Sequence, residues 1–209
     1  MNAMKEKSNI KILLLLACLS MAFACTNSKK LSPNDFMQWC KNTDNTMVAK
    51  KEVGGLLYSL QYLPCSFLTL RDNPDISAKD FAEKVKRNDG IEFFALNISI
   101  SEAGEGDIFN FYTGNTTMKA NERQDYFTNY VYKDLICVYD KDTVPCSMHM
   151  PDIIKGFTKN IKIVVAFEKP SRFKDGQRVF IFNDKAFGNG LVKMEIDSKI
   201  INNIPKVKI

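Results

Sequence analysis

Apolar and polar positions alternate with a period of two over much of this chain and with a helical period in a few short stretches. The clearest alternation sets Leu56, Tyr58, Leu60 and Tyr62 against Leu57, Ser59, Gln61 and Leu63. It predicts a strand with one buried face, joined through Gly54-Gly55 to a partner strand over 48–53. Further strands are expected at 91–101, 108–112, 130–139, 144–150, 161–167, 178–183 and 191–196.

Helical stretches are fewer. Ser32-Pro33 has the residues of a helix start, and Phe36, Trp39 and Cys40 fall on one face after it. Residues 64–70 read as a helical turn. Ser77 caps the best-patterned helix, whose apolar face is Ala78, Phe81, Ala82 and Val85, with Asp80 three residues after the cap. A stretch over 119–127 is also helical, and a last short helix begins at Asp197 or Ser198 and ends before Pro205. Many short strands with few helices and no βαβ alternation predict an α+β fold. It is mainly an antiparallel β-sheet or sandwich, with a few short helices packed on one side or end.

The N-terminus departs from this pattern. Lys5, Lys7 and Lys11 precede an apolar run over 12–24, and Thr26-Asn27-Ser28-Lys29-Lys30 after it is polar. The run has the length of a secretory signal and is short for a membrane span. Ala22-Phe23-Ala24-Cys25 resembles the lipobox of bacterial lipoproteins, although Ala22 stands where that motif usually has Leu. The resemblance implies cleavage before Cys25, lipidation of its thiol, and a membrane-attached protein without a spanning helix. Cys18, after Leu15-Leu16-Ala17, is a weaker alternative because it would leave an apolar tail. Thr26 after the cysteine is compatible, in that family, with sorting to the outer membrane. The expected organisation is a signal peptide over 1–24, a tether over 25–31 and one folded domain over 32–209.

Four cysteines lie in the folded part. Cys137 and Cys146 flank an expected hairpin with a four-residue loop over 140–143. If Tyr139 faces Val144, Cys137 faces Cys146 at a spacing a disulfide tolerates, and Pro145 takes a position that needs no N–H. Cys40 and Cys65 are either bridged or two small core residues.

The whole chain carries a net charge of +5, and the mature part about +3 with its lysines scattered among acids. That balance predicts no nucleic-acid partner. His149 is the one histidine, on a strand that would turn it away from Cys146, so no Ser-His-Asp or Cys-His unit assembles in the sequence. No CxxC pattern suggests zinc, and no glycine motif suggests a nucleotide. No catalytic residue, cofactor or metal ligand is therefore expected. Glu102, Glu105 and Asp107 form an acidic Gly-rich connector, best read as a solvated turn. The aromatics Phe109, Phe111, Tyr112, Tyr126, Phe127, Tyr130, Tyr132 and Tyr139 are expected mostly in the core.

The segment Asp142-Thr143-Val144-Pro145-Cys146 also resembles envelope lipoproteins of Gram-negative bacteria, a likeness that implies location but no activity. The expected function is a lipid-anchored, non-catalytic envelope protein that binds a protein partner or supports an assembly. The alternative is a carbohydrate-binding or glycan-hydrolysing surface protein that uses carboxylates and aromatics.

Overall fold

The computed structural model describes residues 29–209 except 46, 102–105, 153–157 and 175. Five strands form one antiparallel sheet in the order β2 (Val48–Val53), β3 (Leu56–Leu63), β4 (Ile91–Ile100), β8 (Asn160–Glu168), β7 (Met148–Asp152). Four form a second antiparallel sheet in the order β10 (Gly190–Ile196), β9 (Arg178–Asp184), β5 (Leu135–Tyr139), β6 (Asp142–Pro145). A short parallel pair joins β1 (Lys30–Leu31) to β11 (Lys206–Val207). The fold is α+β, as the patterning predicts.

The two sheets face each other across one apolar core. Leu56, Tyr58 and Leu60 of β3, Phe94, Leu96 and Ile98 of β4, and Ile161 to Phe167 at alternate positions of β8 supply one side. Leu135, Cys137 and Tyr139 with Phe180, Phe182, Val192 and Met194 supply the other. The edge-to-face ring pair Phe94–Phe167 and the tilted contact of Phe94 with Phe180 join the two sides. Helix α4 (Ala120–Asn129) closes one end with Phe127, whose ring touches Phe182 and Phe187.

The remaining helices sit on the outer face of the five-stranded sheet. They are α1 (Pro33–Lys41), α2 (Cys65–Asp72), α3 (Ala78–Arg87) and α5 (Ser198–Asn202). The caps expected from sequence form: the Ser32 and Ser77 hydroxyls accept from the backbone N–H groups of Asp35 and Asp80 at 3.2 Å. Phe36 and Cys40 of α1 are buried with Met47, Leu63, Phe67 and Phe93 in a second core. Leu31 and Val207 pack against it, so Lys30 and Leu31, expected in the tether, belong to the fold.

Three expected elements differ. Residues 108–112 form a 3₁₀ turn over Ile108–Asn110, because Asp107 caps it by accepting from the Phe109 N–H. The stretch 130–139 is a strand only from Leu135, after a 3₁₀ turn over Val131–Asp134. The strand expected over 144–150 divides between sheets. The Cys146 N–H bonds to Leu135 in the smaller sheet, and the Ser147 N–H bonds to Ala166 in the larger.

The hairpin register differs too. The loop is the two-residue turn Asp140-Lys141, with Asp140 at φ 54° and its carboxylate accepting from the Gln177 N–H. Cys137 therefore faces Val144, not Cys146. The shift is by two residues, so Pro145 keeps a position that needs no N–H and every side chain keeps its face. Those two constraints could not separate the registers. Cys40, Cys65, Cys137 and Cys146 are all free thiols. Cys40 is on the buried face of α1, and Cys65 opens α2 with its sulfur 4.0 Å from the Thr69 hydroxyl.

Candidate ligand-binding face

The helices cover only one end of the outer face of the five-stranded sheet. Because side chains alternate, the residues there are the polar half of the β3 pattern and their neighbours. Register places Lys50 opposite Ser59, Ser59 opposite Asn97, Asn97 opposite Lys162, and Lys162 opposite Asp152. One polar row thus crosses all five strands. The next row toward the helices is Val48, Gln61, Ala95, Val164 and Met150. Gln61 ends the covered part, since its side-chain amide donates to the Cys40 carbonyl at 3.0 Å.

These rows line an open groove of about 510 Å³, which Thr43 also borders. Among the described residues its charged groups are two ammonium ions, Lys50 and Lys162, and one carboxylate, Asp152. The Asn97 side-chain oxygen is shielded from water and has no hydrogen-bond partner among the described residues. Leaving such an oxygen unpaired costs about 1–3 kcal/mol, and a donor in the groove would recover it once the Asn97 side chain turns its oxygen outward. The face can therefore hold a ligand that carries negative charge for the lysines and hydroxyls for Asn97 and Ser59.

The residues singled out from sequence lie elsewhere. Cys25 and Cys18 are outside the described residues, as are Glu102 and Glu105. The Asp107 carboxylate is occupied as a tie: it accepts from the Phe109 and Thr158 N–H groups and from the Asn110 amide. His149 on β7 stacks on Tyr132 at 5.0 Å, and one ring nitrogen lies 3.0 Å from the Thr128 carbonyl. The Cys146 thiol bonds to the Met148 carbonyl instead. Of the aromatics, Phe109, Tyr126, Phe127 and Tyr139 are buried and Phe111 is half-buried. Tyr112, Tyr130 and Tyr132 are exposed.

Two polar clusters that sequence reasoning missed cross the core between the sheets. At one end of β9 the Arg178 guanidinium grips Glu92 of β4 through three contacts of 2.8–3.1 Å. It also donates to the Ser198 hydroxyl at 2.7 Å and lies 4.6 Å above the Phe173 ring. At the other end the Tyr58 hydroxyl donates to Asp184 at 2.5 Å, and the Asn189 amide donates to the Tyr58 oxygen at 2.8 Å. Burial pushes the Asp184 carboxyl above the ordinary range, against the lowering effect of its donors, Tyr58 first among them. Both clusters are sealed within the core and serve the fold. The alternation of β3 and β9 marks Tyr58 and Arg178 as inward-facing but gives no sign of their partners.

Among the described residues no group of three His, Cys, Asp or Glu side chains is placed to hold a metal ion. No described helix is long and apolar enough to cross a membrane. Comparison with protein-family models finds no match. Neither the curated proteins nor the solved structures contain a match.

Proposed function

We propose that this chain is a lipid-anchored, non-catalytic binding protein of a bacterial cell envelope, attached to the outer membrane through Cys25. Its ligand lies on the open outer face of the five-stranded sheet. The observation that carries the binding reading is the polar row from Lys50 to Asp152, which includes Asn97 with its oxygen unpaired among the described residues. The signal-like N-terminus carries the anchor.

The same row favours an acidic ligand, and an acidic glycan is the form put to the test. It argues for binding over hydrolysis: the groove lining offers one carboxylate, Asp152, where glycoside hydrolysis ordinarily employs two. Intact-mass spectrometry of protein from its native membrane tests the anchor; the expected mass is that of residues 25–209 plus acyl chains. Calorimetric titration with galacturonate oligosaccharides, and with neutral cello-oligosaccharides as control, tests the glycan form of the ligand. Binding of the acidic series that is lost in Lys50→Glu/Lys162→Glu supports the face. Acidic-sugar binding that survives that double change places the ligand elsewhere.

A further inference from the structure

Among the described α-helices the best-patterned is also the least buried. Phe81 and Val85 of α3 are only half-buried, Ala78 and Ala82 are exposed, and no α3 residue is fully buried. Its apolar stripe lines an open groove of about 570 Å³ that is completed by Val207 and Ile209 at the C-terminal end. Ile209 is 45% exposed. Phe81 packs in part against the second core, and an amphipathic helix that leaves the rest of its stripe open in the folded domain has something else to cover it.

Two further observations point to a membrane. The first is position. Val207 pairs with Leu31, the Lys206 N–H bonds to the Lys29 carbonyl, and the Lys208 N–H bonds to the Leu31 carbonyl. The chain leading from Cys25 thus joins the domain beside this groove, and four residues reach at most about 14 Å. The second is charge. Lys86 lines the groove, and the exposed Lys206 and Lys208 lie on the other side of the segment that bears Val207 and Ile209, where their long stems can reach the level of the headgroups. Lys29 and Lys30 lie alongside. Asp89 is the acid at the groove, whereas Asp80 and Glu83 lie on the opposite flank of α3, along a separate depression with Asn73 and Arg87.

We infer that the α3 stripe and the β11 tail form a bilayer-docking surface, with Phe81, Val85 and Ile209 set into the interface of an anionic leaflet and the lysines at its headgroups. This rests on the anchor reading for its orientation, since a lipidated Cys25 holds that side of the domain against the bilayer. The geometry is that of an interfacial amphipathic helix, in which apolar insertion and attraction to anionic lipid act together.

The test uses the chain carrying Cys25→Ala and freed of residues 1–24, whose apolar run would itself enter any vesicle, co-sedimented with phosphatidylglycerol–phosphatidylcholine vesicles or with phosphatidylcholine vesicles alone. The expected result is binding at least about tenfold tighter to the anionic vesicles, weakened as salt rises. Ala82→Glu/Ile209→Glu, both at exposed positions, should lower it about tenfold further without moving the urea midpoint. Failure to sediment with either vesicle overturns the inference, as do equal binding to both vesicles and insensitivity to the double change. Self-association abolished by the same double change, without vesicle binding, overturns it in favour of a second copy as the occupant. The anchor is judged separately by the intact mass of the wild-type chain: an unlipidated wild type removes the anchor while leaving this vesicle result to stand.

Discussion

The two faces of the five-stranded sheet are made from alternate residues of the same strands, and they have opposite characters. On β3, Tyr58 and Leu60 are fully buried, while Ser59 and Gln61, which alternate with them, face an open groove. On β4, Leu96 and Ile98 enclose Asn97 in the same way. On the inner face Glu92 comes with Arg178 and Tyr58 with Asp184, while the Tyr139 hydroxyl is buried there without a partner among the described residues. The outer face leaves a row of five polar side chains without a covering layer. The comparison separates the face that holds the fold from the face that is free to meet a ligand.

Breaking the inner face at its ion pair should have the largest effect. Glu92 and Arg178 are each almost completely inaccessible, at 5% and 4% side-chain exposure. Arg178→Met would leave a carboxylate buried without its counter-ion, at a cost of about 3–5 kcal/mol. Glu92→Leu/Arg178→Met removes both charges and should be distinctly more stable than Arg178→Met alone. Urea unfolding of the wild type, both single variants and the double variant completes the cycle. A double variant as unstable as the sum of its parts would show that the two groups act independently.

The other inner cluster should respond to pH. Burial raises the Asp184 carboxyl, so the folded state holds its proton more tightly than the unfolded chain does. Its contribution is therefore full below the unfolded carboxyl range, about pH 4, and is lost as pH rises through the higher folded value. Tyr58→Phe removes the hydroxyl that steadies the ionised form and should cost about 1.5–3 kcal/mol at neutral pH and less in acid. Asp184→Asn should gain on the wild type as pH rises. Unfolding midpoints at about pH 4 and pH 8 check both; a Tyr58→Phe loss of the same size at each pH would sink the assignment.

The difference between the faces also explains what could be read in the sequence. Period-two alternation in β3 identified an inward set and an outward set, and Ser59 and Gln61 marked the outward side as polar. Local signals also gave the Ser32 and Ser77 caps, and the structure contains both. Partners could not be read, because Tyr58 meets Asp184 across a separation of 126 residues and Glu92 meets Arg178 across 86. The polar row was equally hidden: its members come from five strands and only register aligns them. Residues 108–112 misled because Ile108 and Phe109 are buried by a capped turn instead of a strand. The Cys137–Cys146 alignment failed because side-chain facing and the placement of Pro145 are unchanged by a two-residue shift. The length of the turn decided the register, and Asp140 shortened it by taking a left-handed conformation.

Thiol reactivity offers a finer reading of covered against open surface. Burial pushes the thiols of Cys40 and Cys137 up to about 12, and it raises that of Cys146. Cys65 is half-exposed at the start of α2. Iodoacetamide applied to the native protein at about pH 8 should therefore modify Cys65 first and the other three only after unfolding. Peptide mapping without reductant should recover all four as alkylated thiols. A Cys137–Cys146 disulfide in that map would require the four-residue loop and would overturn the register described here.

The smallest expected effects on stability, and the most informative for function, lie on the open face. Lys50→Ala and Lys162→Ala remove exposed ammonium groups and should change the unfolding free energy by no more than about 0.5 kcal/mol. Asn97 differs from them because its oxygen is shielded and unpaired among the described residues. Asn97→Val removes that orphaned acceptor and introduces a residue suited to a strand, so it should stabilise the domain by about 1 kcal/mol. If Asn97 is kept for a ligand, the same change must weaken binding of whatever acidic ligand the lysines attract, a gain in stability set against a loss of function. A more stable Asn97→Val protein that binds as well as the wild type would make the unpaired oxygen an accident of packing. A destabilised one would mean that Asn97 is satisfied in solution by water the groove retains, and that the outer face is more tightly built than its exposure suggests.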